Sequence, residues 1–214
     1  MTQYKSIRYE VSDLVGLLTL NRPDRVNAID ETMIIELEEF WNARRHDDAT
    51  RVIIMCGAGD RGFCSGLDLK ETAGQLLSAD LKIIYRLQAR ISRLLLKMRQ
   101  APQPIIGAIH GAAVGGGLSF ALGCCVRIVS RDVRFGAAYI NIGLGGADCG
   151  SSYFLPRMIG AGRAYEFMLP AISWTLRPHS NWGWSAELSG ARHSLMKPAT
   201  WQIKCVARIR WVCG

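Results

Sequence analysis

A chain of 214 residues with 49% apolar content is long enough for one ordinary domain with a sizeable core. Its formal charge is +8, but residues 170–214 carry six Lys or Arg against a single Glu, so residues 1–169 are close to balanced. With no basic stripe or interleaved aromatics in that body, nucleic acid is excluded as the expected partner.

Residues 4–9 and 14–20 are predicted strands joined by a turn at Ser12 and Asp13, and Asn21-Arg-Pro-Asp24 ends the hairpin with turn chemistry. From Asp30, placed as N-cap, the apolar positions Met33, Ile34, Leu37, Phe40 and Trp41 fall on one helical face. Residues 51–56 read as a short buried strand. A second amphipathic helix starts near Asp80 and aligns Leu81, Ile84, Leu87, Ile91, Leu94, Leu95 and Met98.

Residues 104–126 contain no Asp, Glu, Lys or Arg over a length that could span a bilayer. Six glycines interrupt the stretch, so it is predicted as a buried strand at 105–109, a glycine turn and a buried helix, with no membrane insertion. Strands near 126–129 and 133–135 follow, then helices near 150–158 and 162–169. The alternation of strands and helices in units of roughly forty residues places the chain in the α/β or α+β class, and spacing alone leaves the two open.

Seven cysteines, an odd number with no C-x-x-C pair, point to a reducing compartment rather than to zinc or disulfide exchange. The first residues lack an apolar leader, so the expected location is cytoplasmic. Gly57-Ala-Gly-Asp-Arg-Gly62 matches the G-x-G-x-x-G dinucleotide fingerprint, which requires the third glycine inside an opening helix. Here Phe63 to Gly66 reads as loop, which excludes that use.

Two segments carry chemistry. In Cys64-Ser-Gly-Leu-Asp68 and in Gly115-Gly-Gly117, glycine permits close backbone approach, and the second segment sits where a strand gives way to a helix, adding positive potential. Each can direct one backbone N–H at a carbonyl oxygen, and two such donors make an oxyanion hole. With these motifs in this order, the chain resembles the crotonase superfamily, the enoyl-CoA hydratase/isomerase family, over about residues 4–169.

The resemblance implies a spiral of repeated β-β-α turns and an acyl-CoA thioester as substrate. Leu67 and Gly116 would supply the two oxyanion amides. Arg25 would pair with a coenzyme A phosphate, the backbone at Val26 and Ala28 would accept from adenine, and Ser65, Gly66, Asp68, Leu69 and Tyr139 would contact the substrate. Asp68 would also fix the oxyanion loop by accepting local N–H groups. No metal and no redox cofactor are implied, because coenzyme A enters as part of the substrate. Hydratases place two glutamates where this chain has Ser119 and Tyr139, and neither side chain is a competent general base near neutrality. Asp148, in Gly145-Gly-Ala-Asp-Cys-Gly150, resembles an acidic position used for proton transfer by family isomerases, although an Asp there can also cap the next helix. His110 reads as a structural residue, Cys124 and Cys125 as core, and Cys64 as a thiol with nothing nearby to lower its pKa.

Past Leu169 the helical and strand periods vanish, and five of six tryptophans fall in the last 45 residues. Codons permitted for Pro170 onward, read from the third base, can spell Gly-His-Phe-Met-Asp-Ala-Glu and the rest of a family-like continuation. The expected organisation is therefore a crotonase-like core at 1–169 and an aberrant, poorly structured out-of-frame tail at 170–214. The C-terminal helices that build a trimer or hexamer in the family would be lost or replaced.

Overall fold

The computed structural model describes residues 4–71, 80–143, 145, 148–170, 173–175 and 186–187, without the side chains of Leu81, Asp148 or the last two of these segments. Two strands open the chain, β1 (Ile7–Ser12) and β2 (Val15–Leu20), paired antiparallel with Ile7 opposite Leu20 and Ser12 opposite Val15. The turn is Asp13–Leu14, both at positive φ (50° and 65°), one residue later than the sequence indicates. Two consecutive left-handed residues give a tight hairpin whose twist suits the strands. Residues 4–6 are not strand because Lys5, Ser6 and Ile7 turn their amides onto the buried Glu36 carboxylate at 2.6, 2.8 and 3.1 Å.

Helix α1 (Glu31–Arg44) begins where expected, with Asp30 Oδ1 accepting from Met33 N at 2.7 Å. Its predicted apolar face, from Met33 to Trp41, is buried. Each large side chain so buried contributes about 1.5–3 kcal/mol. Helix α2 (Leu81–Gln100) lies against α1, capped by Asp80 and tied by Arg90 to Glu31 and Glu38. Only its C-terminal half, with Ile91, Leu94, Leu95 and Met98, is fully buried.

Between and after these helices the chain repeats one pattern. Strands β3 (Val52–Gly57), β5 (Ile105–Ile109) and β7 (Val126–Val129) run parallel as neighbours in a six-stranded sheet ordered β1-β2-β3-β5-β7-β10. Their successors β4 (Gly62–Cys64), β6 (Ala112–Val114) and β8 (Arg134–Gly136) run parallel in a second, four-stranded sheet ordered β4-β6-β8-β9. α3 (Gly116–Gly123) follows the second pair, and α4 (Ser151–Ile159) and α5 (Ala161–Met168) follow the third. Each turn thus delivers one strand to each sheet and then a helix, which is the β-β-α spiral. β9 (Ser173–Thr175) pairs antiparallel with β8, and β10 (Ala186–Glu187) pairs parallel with β7.

Residues 57–66 contain β4 rather than continuous loop, and Gly62 lies in that strand, so the glycine fingerprint has no helix to open. The uncharged stretch 104–126 resolves into β5, β6, α3 and the start of β7, and no described helix is long and apolar enough to cross a membrane. Cys124 is buried, but Cys125 is exposed, because β7 starts at the surface with Val126 48% accessible. The expectation for the C-terminal helical region falls outside the described residues.

Candidate functional site

The segment after β4 is held by a ladder to the loop that precedes α1. Ser65 N donates to the Val26 carbonyl at 3.0 Å, Ile29 N to Gly66 O at 2.8 Å, and Asp68 N to Ile29 O at 2.9 Å. In a parallel bridge of this kind the residue between the two bonded groups turns its own amide the other way. That residue is Leu67, bridged to Ile29, so its N–H faces away from the ladder.

Opposite it, β6 runs into α3 through Gly115, at φ 53° and ψ −120°, a conformation that a β-carbon opposes. Gly116 is the first residue of α3, so its N–H is one of the amides a helix leaves without an intrahelical acceptor. The two loops touch. A β-carbon on Gly66, itself at φ 91°, would stand 2.8 Å from the Val114 carbonyl oxygen and 3.3 Å from Gly116 N. Close packing of two backbones therefore sets the spacing of the amides.

Both loops line one cavity of about 330 Å3. Its walls bring together Ser65, Gly66, Leu67, Leu69, Gly116 and Tyr139 of the expected set, with apolar Ile29, Leu87, Ile91 and Ile142. Arg25 ends a 3-10 turn (Pro23–Arg25) outside that wall and is exposed. It joins the site through its backbone, since Ser65 Oγ donates to its carbonyl at 3.3 Å. The Val26 carbonyl already accepts from Ser65 N, and that of Ala28 from Arg22 Nη1 at 2.7 Å. Asp68 Oδ1 accepts from Lys70 N at 3.2 Å, the local bond expected of it.

Arg22 is the residue the sequence reading missed. Its guanidinium reaches Asp30 at 3.2 Å, Asp68 at 2.9 Å and Glu71 at 2.8 Å, besides the Ala28 carbonyl. It locks residues 22–30 to residues 66–71, and it sits in Asn21-Arg-Pro-Asp24, where turn chemistry drew the attention. Asn27 completes the brace, its Nδ2 donating to Ala58 O and Gly62 O at 2.9 Å each and its Oδ1 accepting from Arg22 N.

Ser119 and Tyr139, the two positions without glutamate, meet in the structure. Their hydroxyl oxygens lie 2.6 Å apart, and Tyr139 Oη is 2.8 Å from Ser151 Oγ. Ser119 and Ser151 are wholly buried and Tyr139 is 4% exposed. Asp148 opens a 3-10 turn (Asp148–Gly150) whose next residue, Cys149, lines the cavity. The N-cap of α4 is Gly150, so Asp148 does not hold that position, and its side chain lies outside the described residues. His110 is buried at the end of β5, where its carbonyl accepts from Phe63 N at 2.8 Å. Burial pushes the Cys64 thiol up to about 12, against a smaller opposing effect of the Gly66 N–H, so it stays protonated. Among the described residues no group of three or more His, Cys, Asp and Glu could hold a metal ion.

Comparison with known proteins agrees with this fold. A protein from Mycobacterium leprae named "Probable enoyl-CoA hydratase echA12" is 41% identical over 159 residues, covering 72% of this chain and 53% of the relative. The 1,2-epoxyphenylacetyl-CoA isomerase of Escherichia coli K12 is 32% identical over 169 residues, covering 79% of this chain and 64% of its own. The crystal structure of an enoyl-CoA hydratase from Bacillus anthracis superposes with a TM-score of 0.85 at 26% identity, covering 96% of this chain and 77% of that one. The chain spans about half the length of the mycobacterial relatives it matches. The model of the enoyl-CoA hydratase/isomerase family matches residues 10–199, most of the sequence, and on that match the chain belongs to this family.

Proposed function

We propose that this chain binds an acyl-CoA thioester with the thioester oxygen on the Leu67 and Gly116 amides and moves a proton on the enolate so stabilised. The observation that carries this reading is that two tightly packed backbone loops, one with its amide turned out of a ladder and one opening a helix, line the same apolar cavity. One such donor is typically worth about 3 kcal/mol in the transition state.

In this reading the acyl chain occupies the cavity beside Ser65, Gly66, Leu69 and Tyr139. Arg25 meets a coenzyme A phosphate, the backbone at Val26 and Ala28 meets the adenine, and coenzyme A enters as part of the substrate. The chemistry is double-bond isomerisation: a proton leaves one carbon of the acyl chain, the electrons rest on the thioester oxygen, and a proton returns to another carbon. Asp148 or a water carries that proton. Hydration by paired carboxylates has no support, because the two positions hold Ser119 and Tyr139 in mutual hydrogen bond. The expected location is cytoplasmic.

The test is calorimetric titration with 2-enoyl- and 3-enoyl-CoA, followed by assay of their interconversion. Asp148→Asn is expected to abolish turnover and leave binding intact; unchanged turnover would remove Asp148 from proton transfer.

A second reading, a member that binds acyl-CoA without turnover, is favoured by the same Ser119–Tyr139 contact. It is also supported by pairwise matches that span 159 to 169 of the 214 residues. Binding without turnover would establish it. In both readings residues 170–214 are translated out of frame, so assembly as the family's homo-trimer or hexamer is not expected. A clean trimer on size exclusion, or a coding sequence whose shifted frame fails to spell the family continuation, would refute that part.

A further inference from the structure

The Gly115 carbonyl and the Gly116 N–H are two ends of one peptide group. That carbonyl accepts from Tyr139 Oη at 2.8 Å and from Ser119 N at 3.1 Å. Gly115 N donates to Gly136 O at 2.8 Å, on the strand that leads directly to Tyr139. The Tyr139 ring lies across the turn, 3.9 Å from where a Gly115 β-carbon would stand.

Proton counting orders the hydroxyls. A phenol has one proton, and the Gly115 carbonyl can only accept. With the Tyr139 proton on that carbonyl, the contacts at 2.6 and 2.8 Å require Ser119 and Ser151 to donate to Tyr139 Oη. The result is a buried chain running from serine hydroxyl to tyrosine hydroxyl to carbonyl to amide. Hydrogen bonds in such a chain polarise one another, and the effect grows in a low-dielectric interior.

We infer that Tyr139 is a positioning residue for the oxyanion peptide: its hydroxyl orients the Gly115–Gly116 peptide plane and strengthens the Gly116 N–H as a donor to a bound thioester. This inference rests on the oxyanion reading above. Tyr139 replaces a carboxylate in position without replacing it in chemistry, since it acts on the amide rather than on a substrate proton. The need for it lies in Gly115, whose unusual backbone conformation a glycine is free to leave.

The experiment is infrared difference spectroscopy of the full chain with crotonyl-CoA isotope-labelled at the thioester carbonyl, in the wild type, Tyr139→Phe and Ser151→Ala. The wild type is expected to shift the bound C=O stretch to lower frequency. Y139F keeps the ring and is expected to give a clearly smaller shift. If strengthening is about 10–30% of one donor's effect, kcat falls about two- to fivefold with KM little changed. S151A is expected to move both readouts the same way by less. A full shift in folded Y139F overturns the inference. Should Y139F fail to fold, S151A decides alone, and a shift equal to wild type overturns it. A wild type that binds crotonyl-CoA with no shift defeats the oxyanion reading itself, a separate result.

Discussion

One wall of the cavity and the hydroxyl cluster behind it are built from different materials. The wall formed by Gly66, Leu67, Gly115 and Gly116 is backbone, fixed by a ladder to residues 26–29 and by direct contact between two loops. The cluster of Ser119, Tyr139 and Ser151, of which Tyr139 alone lines the cavity, is side-chain hydroxyl, fixed by mutual hydrogen bonds. The difference teaches that a backbone arrangement rests on packing between loops, whereas a hydroxyl cluster depends on which side chains are supplied. Amides come with every residue, whereas a carboxylate must be supplied by a particular one.

The sharpest way to break the first wall is Gly66→Ala. Its β-carbon would push on Val114 O and Gly116 N at a residue already at φ 91°, so both amides shift. Turnover is expected to fall about a hundredfold or more, with weaker acyl-CoA binding, as for loss of an oxyanion donor. Steady-state kinetics and titration check it.

Arg22→Ala attacks the support behind that wall. It leaves Asp30 and Asp68, both largely buried, without their shared cation, at an expected cost of about 3 kcal/mol in a denaturant melt.

A further effect, confined to alkaline conditions, concerns pH. Burial raises the thiols of Cys56, Cys64 and Cys124 from 9.0 to about 11, 12 and 12. Above pH 9 the unfolded chain releases these protons while the folded one retains them, so stability is unchanged below pH 9 and declines as pH rises toward 11–12. The slope is about 1.4 kcal/mol per pH unit per thiol, measurable by denaturation at stepped pH. Least of all, Ser119→Ala should cost about 1 kcal/mol in stability, since it removes one hydroxyl contact to Tyr139.

Much of the scaffold was legible because it depends on short-range patterning. The apolar spacing of α1 and its Asp30 cap, the buried run of β5 and the glycine turn into α3 all stand where periodicity and caps put them. The short strands β4 and β6 were not legible, since three residues carry no period and their pairing is with distant segments. The start of β1 at Ile7 rather than at residue 4 has a related reason: Glu36, on the next helix, draws the amides of residues 5–7.

Of the candidate site, the sequence by itself determined where glycines precede a helix and which positions carry no carboxylate, because these are local facts. Only the tertiary structure decided that Arg22 clamps Asp30, Asp68 and Glu71, and that Ser119, Tyr139 and Ser151 share one hydroxyl network ending on the Gly115 carbonyl. Arg22 and Asp68 are 46 residues apart, and Ser119 and Tyr139 are 20 apart. Contacts over such separations arise from the packing of successive β-β-α turns, and the periodicity of any single turn holds no record of them.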